Sequence, residues 1–335
     1  MNHTKKLVST KNRHMVLGVP EVHLIAKIES ELIKGARKYF EENNYTEVVV
    51  PHITKATGSC ENIDTLFEVD FFGERSFLCQ TGQLYLESLI PYIGNVFCIG
   101  PSFRAEPDVD NRHLTEFTLI EIEFPGGFDK LLREIENTIY SMIQSVLKNK
   151  KEELEMLNID IDRLKGIKMP FKKITYTEAV EILAKNGFDV NWGDDLKSRH
   201  EAFLSKYFGS VPLFLTHYPV GIKFFNMRGN PENPKVVNSA DLILPFSGEA
   251  VGSAERHHEY EEIYYRLTHS EMLKKLIDKG GSIKDFQWYL DLIKSGVQVP
   301  HSGCGIGLNR VTQFVLGVDD CRMTTVWPQN REGLL

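Results

Sequence analysis

From Glu21 onward apolar residues recur at helical spacing. Leu24, Ile25, Ile28, Leu32, Tyr39 and Phe40 share one face, with Lys and Glu between them. Asn43-Asn44 end this helix, and TEVVV over 46–50, stopped by Pro51, reads as a buried strand. Residues 66–72 and 76–80 read as a hairpin turning around Gly73 and Glu74, 83–93 as a helix, and 96–99 and 117–124 as strands. A mostly helical insert is expected over 128–170. In it Leu131, Ile135, Ile139, Met142 and Val146 keep helical spacing, and KNKKEELE reads as a solvated face. Helices follow at 178–186 and 196–208, and strands at 211–216, 223–227 and 236–244. Two helical stretches, 257–279 and 283–295, lead to a Gly-rich turn at 303–307 and a last helix ending at Leu316. Several strands lie next to each other without alternating helices. The pattern therefore predicts an α+β fold, an antiparallel or mixed sheet flanked by helices, in one domain over 21–335 after a polar lead-in at 1–20.

Composition narrows the class. With 42% hydrophobic and 25% charged residues, the 335-residue chain can bury a core without disulfides or a structural metal. Its net charge of −7 argues against a general nucleic-acid coat and leaves room for a local basic face. No apolar run reaches the roughly 18 residues of a transmembrane helix. The N-terminal MNHTKKLVSTKNRHMV lacks a signal-peptide core, so a cytoplasmic location and no membrane contact are expected. Cys60, Cys79, Cys98, Cys304 and Cys321 form no CxxC pair or Cys/His cluster and read as buried, unbridged thiols.

Three segments carry candidate chemistry. In FRAEPDVDNRHLTEF, two strand-like pieces flank a polar loop holding Arg104, Glu106, Arg112, His113 and Phe117. Arg offers a planar fork for phosphate, Glu an acceptor for an exocyclic amine and Phe a face for a flat base, the set an ATP site needs without a P-loop. The plain alternative is a surface hairpin with ordinary ion pairs. GCGIGLNR, from Gly303 to Arg310, has Gly spacing but no βαβ context for a dinucleotide fingerprint. It reads as a tight turn, or as a helix entry bringing Arg310 to a phosphate or base. In DLILPFSGEAVGSAER, Asp241 and Glu249 stand on adjacent strand-like pieces beside a Gly/Ser turn. Their oxygens suit Mg²⁺ rather than zinc.

Taken together, FRAE…RHLTEF followed by GIGLNR resembles motifs 2 and 3 of the class II aminoacyl-tRNA synthetases, and the first helix, strand and Pro51 resemble motif 1. TGQLYLE, ITYTEAVEIL, WGDDL, HYPVGIKFFNMR, WYLDL and VPHSG resemble stretches of the asparaginyl enzymes within the aspartyl/asparaginyl subgroup. The likeness runs in order from about residue 20 to 330. It implies a seven-stranded-type antiparallel sheet, a homodimer and ATP bound with Mg²⁺. Arg104 would then hold the α-phosphate, Glu106 meet the adenine amine, and Phe117 and Arg310 sandwich the adenine. His113 and Arg112 would face the pyrophosphate, and Asp241 and Glu249 would ligate Mg²⁺. Glu61, Gln83 and Arg256 would hold the amino acid, aspartate or asparagine. Catalysis would be positioning and charge neutralisation, with Arg104 and Arg310 central.

The chain also departs from the resemblance. The subgroup carries an OB-fold anticodon-binding domain before motif 1, and here motif 1 begins near Glu21. Asn309 stands where the motif 3 Arg is usually preceded by Glu, WPQN (327–330) replaces an FPR, and Leu86 replaces the Lys that aspartyl enzymes use. These features favour an ATP-dependent ligase that passes aspartate or asparagine to a small amine, most simply ammonia, as in archaeal-type asparagine synthetase. The alternative is a minimal asparaginyl-tRNA synthetase-like enzyme that charges tRNA. A second alternative is a catalytically silent regulatory paralogue.

Overall fold

A computed structural model describes residues 8–56 and 62–333. Cys60 and Glu61, the latter expected near the substrate ammonium, lie outside the described residues. Helix α1 (Pro20–Glu42) starts with Pro at its first position and ends at Asn43, after which Asn44 takes a left-handed φ of 58°. Then come β1 (Thr46–Glu47), β2 (Ile53–Thr54), β3 (Glu68–Phe71), β4 (Glu74–Leu78), α2 (Gln83–Ile93), β5 (Val96–Phe103) and β6 (Glu116–Pro125). The middle of the chain holds α3 (Phe128–Asn149), α4 (Lys151–Met156), α5 (Ile161–Lys165), β7 (Lys172–Thr175), α6 (Tyr176–Lys185), α7 (Ser198–Tyr207) and β8 (Leu213–Thr216). It closes with β9 (Ser239–Leu244), β10 (Gly248–Glu255), α8 (Tyr260–Thr268), α9 (Glu271–Asp278), α10 (Gln287–Lys294), β11 (His301–Gly307) and α11 (Leu308–Leu316).

The main sheet runs β1-β5-β6-β11-β10-β9-β8-β7, and β2-β4-β3 form a small second sheet. The six inner strands are antiparallel, and β1 and β7 add a parallel strand at each edge. Eight strands thus replace the seven implied by resemblance. The fold is α+β, with helices flanking the sheet.

One face of β6 carries Ile120, Ile122 and Phe124 into the main core, where α1 supplies Ile28, Leu32, Ala36 and Phe40. The stretch expected as an insert is a layer of this same core: Leu131, Ile135, Ile139, Met142 and Val146 of α3 are fully buried in it. Each such side chain contributes roughly 1.5–3 kcal/mol by leaving water. Contact between α1 and α3 is backbone-close, since a Cβ at Gly35 would lie 2.7 Å from the Met142 Cα.

Several expectations fail for local reasons. The buried strand at 46–50 is a two-residue edge strand with Val49 94% exposed, because β5 pairs only with its start. Residues 223–227 form no strand; they turn, with a single bridge from Met227 to Arg256. The Gly-rich 303–307 stretch is no turn but most of a central strand, β11. Helix 257–279 breaks at His269, where Ser270 caps α9 through the Leu273 N–H. Part of the polar lead-in is anchored. Arg13, fully buried, donates to the Val326 and Thr325 carbonyls at 2.7 and 2.9 Å.

Candidate active site

The period of two along β6 sets the site. With Ile120, Ile122 and Phe124 committed to the core, Phe117, Leu119, Glu121 and Glu123 face the other way into a cavity of about 390 Å³. Beside them β11 presents Gly305 and Gly307, which keep the floor low. Arg104, Glu106, Arg112, His113, Phe117 and Arg310 all line this cavity, as do Asp241, Glu249, Gln83 and Arg256. Every sequence-derived site residue within the described chain is therefore brought together. Their polar groups fall into two hydrogen-bonded sets.

The first set joins the loop before β6 to the β9–β10 turn. The Asp110 carboxylate accepts from the backbone N–H groups of Arg112 and His113 at 2.8 and 2.9 Å and pairs with the His113 ring at 2.8 Å. Burial would raise the Asp110 pKa, but these donors bring it below its usual value. Arg310 donates to the Ser247 and Arg112 carbonyls at 2.8 and 2.9 Å, tying both arms to α11. The Arg104 guanidinium lies 5.2 Å from the Phe117 ring centroid, and its Nε is buried without a hydrogen-bond partner. An orphaned donor on a cationic side chain that lines the cavity is what an anionic ligand would satisfy.

Glu201 on α7 enters this set from far along the chain. It accepts from the Glu249 N–H at 3.1 Å and from Arg112 at 3.4 Å. Burial raises its pKa against both donors. Lys223 donates to Asp241 at 2.8 Å. The Glu249 carboxyl lines the cavity and is walled in by its neighbours. That desolvation, and then the charge of Asp241, lift its pKa above the usual carboxylate range, while Lys223 opposes the lift. Two carboxylates that repel each other and already draw in an ammonium fit a hard divalent cation.

The second set surrounds Arg256. This buried guanidinium donates to Glu123 at 2.7 Å, with the fully buried Glu87 at 3.9 Å. Glu87 is a hub. One oxygen accepts from Gln83 at 2.7 Å and Asn226 at 3.0 Å, the other from Tyr289 at 2.7 Å and His301 at 3.2 Å. Burial alone would raise Glu87, but His301, Arg256 and Tyr289 take it below its usual value. The same pairing outweighs burial at His301 and raises it. Glu121 accepts from the Thr81 hydroxyl and from the Gly82 N–H at 2.7 Å, and burial still raises its pKa. Leu86 is fully buried with Val50, Ile90, Val96 and Cys98, so its side chain adds no cation.

Sequence reading missed Glu87, Glu121, Glu123, Glu201, Lys223 and His301. Strand alternation from Phe117 would have found Glu121 and Glu123; nothing local marks Glu201. The departures are absorbed. Asn309 donates to Thr324 at 3.0 Å, and the Gln329 carbonyl accepts from the Thr115 N–H at 2.9 Å. Cys79, Cys98, Cys304 and Cys321 are buried and unbridged. Among the described residues no helix is long and apolar enough to cross a membrane.

Comparison with known proteins adds to this geometry. The sequence profile of the family described as tRNA synthetases class II (D, K and N) matches residues 5–331. The chain is 39% identical over 321 residues to the asparagine–tRNA ligase of Pelotomaculum thermopropionicum, an alignment covering 95% of this chain and 72% of that protein. With the asparagine–tRNA ligase of Pyrococcus furiosus it shares 36% identity over 320 residues, 95% and 70% of the two chains. Its fold matches the crystal structure of asparaginyl-tRNA synthetase from Pyrococcus horikoshii complexed with asparaginyl-adenylate at a TM-score of 0.89. That match has 34% identity and covers 97% of this chain and 72% of the other.

Proposed function

The chain belongs to the class II tRNA synthetases of the D, K and N group and is an ATP-dependent ligase that forms AMP and pyrophosphate; on that footing we propose that it activates asparagine and passes the asparaginyl group to tRNA. The observation that carries the choice of asparagine is the pairing of Arg256 with Glu123, beside Glu121 and Glu87. A second carboxylate on the substrate would meet, at Arg256, an arginine that Glu123 already balances. A side-chain amide meets the same groups as both donor and acceptor, and brings no charge to desolvate.

In this reading Arg104 binds the α-phosphate and Glu106 the adenine amine, with the adenine against Phe117 and Arg310. Arg112 and His113 take the pyrophosphate end. Asp241 and Glu249 would hold Mg²⁺, which when bound offsets phosphate charge. The asparagine α-carboxylate attacks the α-phosphorus as the bond to pyrophosphate breaks. A tRNA hydroxyl then attacks the acyl carbon and AMP leaves. The named side chains position the reactants and neutralise charge, and none serves as nucleophile.

The tRNA acceptor is preferred over the ammonia suggested by the sequence departures, because the similar proteins are asparagine–tRNA ligases. The test is ATP–pyrophosphate exchange with asparagine and with aspartate, without tRNA, followed by transfer of labelled asparagine to tRNA. Exchange with asparagine and a charged tRNA are expected. Exchange with aspartate alone, and asparagine formed on adding ammonia, would overturn the reading.

A further inference from the structure

The buried set behind Arg256 has more charge than substrate contact requires. Glu87, Glu123 and His301 bring ligand atoms within 4.8 Å of one another, a grouping that a metal ion could occupy. The hydrogen bonds argue otherwise. Both Glu87 oxygens are taken by donors, and Glu123 is taken by Arg256. With both glutamates ionised, Arg256 and a protonated His301 balance them two against two. In that protonation state Glu87, Glu123, Arg256 and His301 together are electroneutral.

Glu123 is also held there sterically. It lies opposite Gly303 in the β6–β11 register, and a Cβ on residue 303 would fall 2.0 Å from the Glu123 carboxyl carbon. Its side chain crosses the neighbouring strand in the space the glycine leaves, with Arg256 on its far side.

Resting on the asparagine reading above, we propose that Glu123 is a specificity-determining residue: its ionised carboxylate cancels the charge of Arg256 and excludes aspartate, and its protonation leaves a net positive charge that admits aspartate. Burial, opposed by Arg256 and reinforced by Glu87, pushes the Glu123 carboxyl up to about 7, so the change falls within the working range of an assay. The other groups facing Glu123 are Glu121 on its own strand, His301 and Cys304 from β11, and Tyr289 from α10 through Glu87. Cys304 and Tyr289 are raised well above their usual values and stay neutral near pH 7. Glu87 is lowered and stays ionised. His301 is the competing explanation, because its deprotonation at high pH would disfavour aspartate with the same sign.

The experiment is pyrophosphate exchange at pH 6, 7 and 8, read as the ratio of kcat/KM for asparagine to that for aspartate. The ratio cancels effects of ATP, Mg²⁺ and groups that serve both substrates. It is expected to fall about tenfold from pH 8 to pH 6, the change in protonated fraction of a group titrating near pH 7. In Glu123→Gln the ratio should be low and flat with pH; in His301→Gln the fall should persist. A wild-type ratio flat across this range overturns the proposal even if Glu123→Gln fails to fold. So does a pH dependence that survives in Glu123→Gln or vanishes in His301→Gln. Absence of exchange with asparagine at every pH would instead sink the reading of the substrate itself.

Discussion

The carboxyl group of Glu123 occupies the volume a side chain at Gly303 would need. The two residues are cross-strand partners on the site face of the sheet, so the first glycine of GCGIG serves a buried glutamate rather than a phosphate. Gly303→Ala must push that carboxylate out of register with Arg256. An overpacked core position of this kind costs about 1–3 kcal/mol. Glu123→Ala removes the obstacle, so the double variant should cost less than the sum of the two. A coupling of roughly 0.5–3 kcal/mol in urea unfolding of the four proteins is expected. Additive single costs would show that the two side chains do not compete for the same space.

The turn that the sequence predicts at 303–307 is strand in the fold for a physical reason. Gly-rich stretches usually mark turns because the residue weakens strands. Here the need for glycine arises across the sheet, from a residue far away in sequence, which no local window contains. The helices α1, α2 and α3 were legible because each has a periodic apolar face that survives without knowing its partner. The strand expected at 46–50 is shorter for the opposite reason: VVV suggests burial throughout, but β5 pairs only with 46–47, and Val50 packs against α2 while Val49 stands exposed. Among site residues, Arg104, Phe117 and Arg310 stood out by type and motif. Glu201 and Lys223 did not, since their roles come from α7 and a turn brought to the cavity by tertiary packing.

On the proposal that Asp241 and Glu249 hold Mg²⁺, the raised Glu249 predicts a pH-dependent requirement for the cation. A carboxyl held above its usual pKa is protonated over more of the acid range, and a protonated carboxyl is a poor Mg²⁺ ligand. The concentration of Mg²⁺ giving half-maximal exchange is therefore expected to rise as pH falls from 8 to 6. Glu249→Gln should raise it about tenfold at pH 8 and less at pH 6, where the wild-type carboxyl is itself mostly protonated. Thermal unfolding without ATP should not be lowered, because the substitution removes a charge that Asp241 repels. If the requirement is unaltered by pH and by Glu249→Gln, this carboxylate does not hold the cation.

Glu87 makes the last test, because its place behind the pocket combines a charge with four donors. Glu87→Gln keeps the shape but turns an amide N–H₂ toward groups that themselves donate. It also leaves His301 without its counter-ion. Breaking a buried pair in this way costs about 3–5 kcal/mol. The sign with pH follows from the two shifts. Glu87 is lowered, so its contribution is present above its ordinary value of about 4.5 and is lost as pH falls through the folded value. His301 is raised, so its contribution is present below about 6.5 and is lost as pH rises through the folded value. The stability gap between the wild type and Glu87→Gln, measured by urea unfolding, should thus be widest near pH 6 and narrower at pH 9. A gap of equal size at both would mean that His301 is neutral in the folded protein, and that Glu87 stabilises the pocket through its hydrogen bonds alone.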